Sequence, residues 1–371
     1  MIFLAAASLL ILSVDGLDNR YIRDADQLGM KIPNIRRLVR EGTWASGGMV
    51  GVVPTVTWPS HTTMLTGVSP ARHGILSNRR PKAEGGDYYW TFDLIKVNTL
   101  WQAACAAGIS TAAITWPVTV DAPVTWNLPE YFQGRRGGAM DLRSIGSKST
   151  GGLTASIAAE FPSFAQQWMD DRTRTLALVH LLRHRKPGLT AVHLVDLDAE
   201  QHETGPFSQP SKAILEFTDE LIGQVLKELP AGTVVALVSD HGFARVDRLV
   251  HAGRVQGGLA VADAQPEGAG RRVPAEEIRR FLPDAAFTTA WEPAEGVLFT
   301  EGAGGGTIRE AGVHGLWPGR PDYRATFVLW GPGVKREKLG EISMLDLAER
   351  FAGILKLKFK PGEPPAKCSP R

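Results

Sequence analysis

Ser8-Leu-Leu-Ile-Leu-Ser-Val14, closed by Asp15-Gly16, is the stretch on which the fold turns. It is a short apolar run without the polar alternation of a half-solvated strand, so it reads as a strand buried on both faces. Runs of the same kind recur over residues 111–115, 189–195, 233–238 and 325–330, and all are expected to lie parallel in one sheet. Helical patterns fall between them. Residues 32–41 carry Pro33 near the start and Gly42 just beyond the end, and residues 99–107 stop at Gly108. Residues 210–229 place Ile214, Phe217, Leu221, Val225 and Leu226 near helical spacing, and 343–357 repeat the pattern with Leu345, Leu347, Phe351 and Leu355. Strands alternating with helices predict an α/β layered fold around an open sheet.

Two stretches interrupt this rhythm. Residues 117–170 and 244–313 are rich in Gly and Pro and read as excursions over the rim of the sheet, the second as an inserted α+β subdomain of a single 1–371 catalytic domain. Gly302 to Gly306 lack a strand–helix phosphate motif and read as a flexible loop. The first few residues, ahead of Ser8, read as a leader remnant or an irregular lead-in, and no segment is long enough to span a membrane.

The composition narrows the function. The 371 residues are 43% hydrophobic and 22% charged, which excludes a disordered or fibrous chain. A formal charge of +2 gives no electrostatic case for nucleic-acid binding. Of two cysteines, Cys105 reads as a small buried residue and Cys368 as part of a frayed, Pro-rich tail.

The polar residues of interest follow the strands. Asp15 follows the first, Asp198 comes shortly after 189–195, and Asp240-His241 follow 233–238. Ligands of open α/β sheets bind beyond the carboxyl ends of the strands. His202 stands four residues after Asp198, on the same side of a helical turn, and His314 lies in a Gly-flanked loop. Mixed carboxylate and imidazole donors suit zinc best, with manganese or iron as alternatives. Three clustered carboxylates repel unless neutralised, and two divalent cations balance them with charge to spare for an anionic substrate. A hydroxyl at a helix N-terminus would serve as the nucleophile; Thr55, Thr57 and Ser60 all qualify on these grounds.

These segments, in chain order, resemble the type I phosphodiesterase and nucleotide pyrophosphatase family of the alkaline phosphatase superfamily. The resemblance runs through Asp15-Gly16, Pro54-Thr-Val-Thr57-Trp-Pro-Ser-His61, His73-Gly-Ile-Leu-Ser-Asn78, Thr115-Trp-Pro117, Asp198 with His202 and Gly205-Pro206, Ser239-Asp-His-Gly242, and His314-Gly315. It implies a three-layer sandwich with helices on both faces of a central, mostly parallel sheet. It implies Asp198, His202 and His314 around one zinc, Asp15, Asp240 and His241 around another, Thr57 as nucleophile and Asn78 as donor to a phosphoryl oxygen. Leu197 stands where relatives often have Pro, Gln201 where they often have Gly, and Trp58 where they often have Phe; the first two point to an altered substrate rim, and Trp58 offers a flat ring to a base or aryl group.

No Arg or Lys lies between Val50 and Ala71 to meet the extra charge of a monoester, so a diester or pyrophosphate is expected, with a nucleotide as the leading substrate. Arg79, Arg80 and Lys82 are candidates for a second phosphate. The competing readings are a zinc phosphomonoesterase or phosphonate hydrolase of the same superfamily, and a binding protein that keeps the fold without the chemistry. A location outside the cytoplasm is the expected one; oligomeric state is not legible.

Overall fold

The computed structural model describes residues 8–301 and 308–368; the lead-in before Ser8 and the expected loop at Gly302 to Gly306 lie outside them. An eight-stranded sheet forms the centre. Its strands are β1 (Ser8–Val14), β2 (Thr43–Ala45), β3 (Thr111–Ile114), β4 (Trp126–Leu128), β5 (Leu189–Leu194), β6 (Thr233–Val238), β7 (Phe327–Trp330) and β8 (Glu337–Leu339). They lie in the order β8-β2-β7-β6-β1-β5-β3-β4. β1 pairs in parallel with β5 and β6, so Asp15 and the residues following Leu194 and Val238 leave the same edge of the sheet.

The helices relevant to the site are α1 (Pro33–Glu41), α2 (Thr57–Thr66), α3 (Leu100–Ala106), α4 (Leu153–Glu160), α5 (Asp171–His184), α6 (Asp196–Thr204), α7 (Gln209–Lys227) and α8 (Leu347–Ile354). Alternate residues of each strand face opposite layers. Leu10, Leu12, Val235 and Leu237 pack with Leu38 of α1, Leu178 of α5 and Ile222 of α7. Leu9, Ile11, Val234 and Ala236 pack with Met64 of α2, Trp101 of α3 and Phe351 of α8. Both faces are therefore covered, which explains the unbroken apolar runs. This is an alkaline phosphatase-like three-layer sandwich.

Several elements differ from the expectation. The last run begins at Phe327 and is antiparallel to β6. The chain leaves β6 at the carboxyl edge, and His241 and His314 both remain there. It therefore re-enters the sheet from that edge, without the crossover a parallel strand requires. The final helical pattern opens as a tight turn, Met344–Asp346, under the Ser343 hydroxyl, which accepts from Leu345 N–H at 3.2 Å; regular helix starts only at Leu347. Within 117–170, Trp126–Leu128 joins the main sheet as an edge strand.

The cysteines also correct the sequence reading. Cys105, half-buried, and Cys368 form a disulfide across 263 residues of chain. The tail is strapped onto α3 rather than frayed: Asn98 N–H donates to Glu363 O at 2.7 Å and the Gln102 side chain to Ala366 O at 2.8 Å. Periodicity carries no information about a partner so distant in sequence.

Residues 244–313 contain a three-stranded sheet, ordered Gly296–Thr300, Ala244–His251, Gly312–Val313, and a four-stranded sheet that packs with the helix Ala275–Phe281 through Leu259, Val273 and Ile278. Among the described residues, no helix is long and apolar enough to cross a membrane.

Candidate active site

The carboxyl edge of the sheet opens into a cleft of about 390 Å3 lined by Asp15, Thr57, Trp58, Asn78, Asp198, His202 and His314. Asp240 and His241 lie directly beneath, fully buried. All six metal-ligand candidates line or underlie this cleft; the donor atoms of Asp198, His241 and His314, and those of Asp15, Asp240 and His241, lie within 4.8 Å of one another, while His202 stands outside both groups, on the cleft wall beside Asp198. A larger cavity of about 730 Å3, walled by Leu142, Phe164 and Trp168, contains none of the residues singled out by the sequence.

Each donor is positioned by its local backbone. The turn after β1 requires Gly16: its φ is +67°, and a side chain there would strike Gln201 and Phe243. Gly16 N–H donates to Asp240 Oδ1 at 3.1 Å, fixing that carboxylate across the sheet. Asp198 and His202 lie one turn apart on α6, with His202 Nε2 3.5 Å from Asp198 Oδ1. His314 Nε2 reaches the same oxygen at 3.7 Å. His241 Nε2 lies 3.0 Å from Asp240 Oδ2 and 3.3 Å from Asp15 Oδ1. The His241 and His314 rings stack with centroids 3.9 Å apart, joining the two groups into one centre.

The hydrogen-bond chemistry fits cations. Nδ1 of His202, His241 and His314 each meets a backbone carbonyl, of Gly312 at 3.1 Å, Gly242 at 3.1 Å and Thr55 at 3.3 Å respectively. A carbonyl only accepts, so each Nδ1 carries the hydrogen and each Nε2 lone pair points inward. These lone pairs face carboxylate oxygens. Asp15 Oδ1, Asp198 Oδ1, Asp240 Oδ2 and His241 Nε2 are buried without a hydrogen-bond partner. Acceptors converging on acceptors in a buried site call for positive charge. Burial, then Asp198 and Asp240, push the Asp15 carboxyl well above its ordinary range. His241 is pushed down by burial, but Asp240, Asp15 and Asp198 outweigh that and raise it to about 9. A divalent cation relieves both conflicts at once.

The nucleophile candidates separate. Thr55 Oγ1 donates to Leu316 O at 2.7 Å, and Ser60 is fully buried in α2 away from the cleft wall. Thr57 lines the cleft at the first turn of α2. All ten residues of that helix are buried, and Thr62 and Thr66 return their hydroxyls to the carbonyls four residues back, at 2.9 and 2.8 Å. Asn78 Oδ1 accepts from Trp58 N–H at 3.0 Å, which fixes the amide in the cleft wall and leaves its NH2 as the donor end.

Other expectations are adjusted. Leu197 and Gln201 are fully buried rather than on the rim. Gln201 donates to Gly16 O at 3.0 Å and accepts from the Tyr21 hydroxyl at 3.1 Å, so it braces the turn behind Asp15. The Trp58 ring is only 3% exposed and packs against Tyr88, centroids 4.8 Å apart. Arg79 lies over the Tyr88 ring at 4.1 Å and Arg80 pairs with Glu84 at 3.7 Å; the cation lining the cleft is Arg135.

Sequence reasoning missed His193, Glu130, Tyr88 and Arg135. His193 is a buried imidazole inside β5, bonded to Asp15 Oδ2 at 3.0 Å and Glu130 Oε2 at 2.8 Å. A titratable residue in an otherwise apolar strand was the available signal. Arg135 comes from a hairpin, Arg135–Arg136 with Ala139–Asp141, whose available signal was the two-residue Gly137-Gly138 turn.

Fold and cleft together define a member of the alkaline phosphatase-like class. The family profile described as type I phosphodiesterase / nucleotide pyrophosphatase matches residues 9–277, and the chain belongs to that family. It is 23% identical over 247 residues to ectonucleotide pyrophosphatase/phosphodiesterase family member 3 of Rattus norvegicus, covering 63% of this chain and 25% of the relative. Against venom phosphodiesterase 2 of Crotalus adamanteus the identity is 24% over 266 residues, covering 65% and 28%. The chain thus spans about a quarter of the length of these relatives. Among solved structures, murine ectonucleotide pyrophosphatase/phosphodiesterase 5 superposes with a TM-score of 0.70 at 18% identity, over 96% of this chain and 97% of that one. An inactive variant of the same murine protein, in complex with AMP, gives a TM-score of 0.70 at 17% identity, over 96% and 97% of the two chains.

Proposed function

We propose that this chain is a two-metal hydrolase of phosphodiester or pyrophosphate bonds, with nucleotides as its substrate class. The observation that carries the reading is the set of unpartnered acceptors from Asp15, Asp198, Asp240 and His241 beside the cleft that Thr57 lines. Asp198, His202 and His314 would hold one cation; Asp15, Asp240 and His241 would hold the other. Two divalent cations, zinc best matching the donors, supply positive charge that acidifies a neighbouring hydroxyl and stabilises phosphoryl oxygens.

Thr57 Oγ1 displaces the leaving group at phosphorus and forms a phospho-threonine. Water then displaces Thr57 in a second step, returning its hydroxyl. The Asn78 amide donates to a non-bridging oxygen as charge builds on it, while Trp58 N–H stays on Asn78 Oδ1 and holds that amide in place. Tyr88, half-buried and backed by the Trp58 ring, offers aromatic surface to a base. Arg135 favours a substrate with a further negative charge, such as a pyrophosphate. The Cys105–Cys368 disulfide supports a location in an oxidising compartment, outside the cytoplasm.

The test is a side-by-side assay, with zinc present, of bis(p-nitrophenyl) phosphate and p-nitrophenyl phosphate. Faster turnover of the diester is expected. Preference for the monoester would overturn the substrate class, and activity on neither would favour a phosphonate hydrolase or a binding protein.

A further inference from the structure

Glu160, His180 and His184 form a second cluster of potential metal donors, with ligand atoms all within 4.8 Å of one another. His180 and His184 are four residues apart on α5 and share one face. Glu160 is the last residue of α4. One carboxylate oxygen, Glu160 Oε2, lies 2.6 Å from His180 Nδ1 and 3.0 Å from His184 Nε2. The cluster is remote from the cleft. α5 starts beside it, where Asp171 accepts from Val195 N–H at 2.8 Å, and His180 lies on the order of 14 Å further along the helix.

The hydrogen-bond directions define what can occupy this point. The Ser156 hydroxyl donates to Leu153 O at 2.8 Å, so its oxygen can only accept from His180 Nε2, 3.2 Å away. The His180 hydrogen therefore resides on Nε2, and its Nδ1 lone pair faces a carboxylate oxygen. A positive charge must sit between them, either a second proton or a cation. Hydrogen bonds from outside hold the donors in place. Arg183 Nη1 holds Glu160 Oε1 at 3.0 Å and leaves Oε2 to the imidazoles, while Ser156 holds the far nitrogen of His180. Two imidazoles and one carboxylate are an established zinc donor set that leaves a fourth position for water.

We propose that Glu160, His180 and His184 bind a divalent cation, zinc fitting best, that fastens α4 to α5 independently of the catalytic centre. The site rests on none of the residues assigned to catalysis.

The test is equilibrium binding of Zn2+ to the whole chain, comparing Asp198→Asn with Asp198→Asn carrying His184→Gln or Glu160→Gln. The Asp198→Asn background weakens one of the two catalytic cation sites, and because the other is the same in every variant compared, the difference between them reads the outer site. The His184 side chain is 52% exposed, so its replacement leaves the fold intact. Each added substitution should lower Zn2+ affinity at one site by at least tenfold, the scale on which even outer partners of metal ligands matter. Zn2+ should also slow amide exchange in α4 of the otherwise wild-type chain and not of His184→Gln. Equal Zn2+ binding and equal exchange in all variants would overturn the proposal and leave a hydrogen-bonded histidine–glutamate cluster; hydrolysis by His184→Gln should match wild type either way.

Discussion

His193 Nε2 stands 3.0 Å from Asp15 Oδ2, so one oxygen of Asp15 is tied down while the other, Oδ1, is left buried without a partner. Burial alone would push the His193 imidazole down, but Glu130 and Asp15 on either side outweigh it and raise it to about 10. His193 thus bridges the Glu130 and Asp15 carboxyl groups and orients Asp15 from behind. His193→Gln should weaken Zn2+ binding at the catalytic centre by about 10–100-fold, with much of the turnover restored at saturating Zn2+. A Zn2+ competition titration alongside initial rates checks this. Unchanged Zn2+ affinity would remove His193 from the account.

Asn78 contributes two ends. Its oxygen holds Trp58 N–H, and its NH2 is assigned to the phosphoryl group. Asn78→Ala should lower kcat by about 10²–10³-fold, the usual effect of deleting one oxyanion donor. Asn78→Asp keeps an acceptor for Trp58 N–H but loses the donor, so it should lose as much. An Asp variant near wild-type rate would show that only the loop anchor matters.

His73 predicts the acid sensitivity of the fold. It is fully buried, its Nδ1 accepts from Ile75 N–H at 3.1 Å, and burial lowers its pKa to about 3. In the unfolded chain it titrates near 6.5. Between those values the unfolded state binds the extra proton, so this contribution is complete above about pH 6.5 and is lost as the pH falls toward 3. It amounts to a few kcal/mol at most. Urea unfolding from pH 7 to 4 should show the decline, and His73→Gln should flatten it.

The disulfide closes a very long loop through the strapped tail. Cys105→Ala should destabilise the fold by about 2–4 kcal/mol. Denaturant unfolding with and without reductant checks this: reduction should lower wild type to the level of the variant and leave the variant unchanged.

The sheet was legible because its central strands are buried on both faces and so write continuous apolar runs. β1 and β6 fall on the residues expected from the runs 8–14 and 233–238. α2 was harder to delimit: burial on every side removes the amphipathic stripe, and only its entry loop was readable. The direction of β7 escaped because strand polarity depends on where the chain re-enters, which composition does not encode. The six donors were visible as strand-end carboxylates and loop histidines, and they converge in the structure. His193 and Glu130 were not read, since they support Asp15 from behind and follow no strand-end rule. Tyr88 reaches the cleft from a loop, and Arg135 from a short hairpin turned at Gly137-Gly138.

The central claim is that Thr57 itself displaces the leaving group. The most direct test is the stereochemical course at phosphorus, using a diester made chiral by sulfur and oxygen isotopes and hydrolysed in labelled water. Two successive in-line displacements, the first by Thr57 and the second by water, predict net retention. Net inversion would mean that water attacks the substrate directly and would contradict the phospho-threonine.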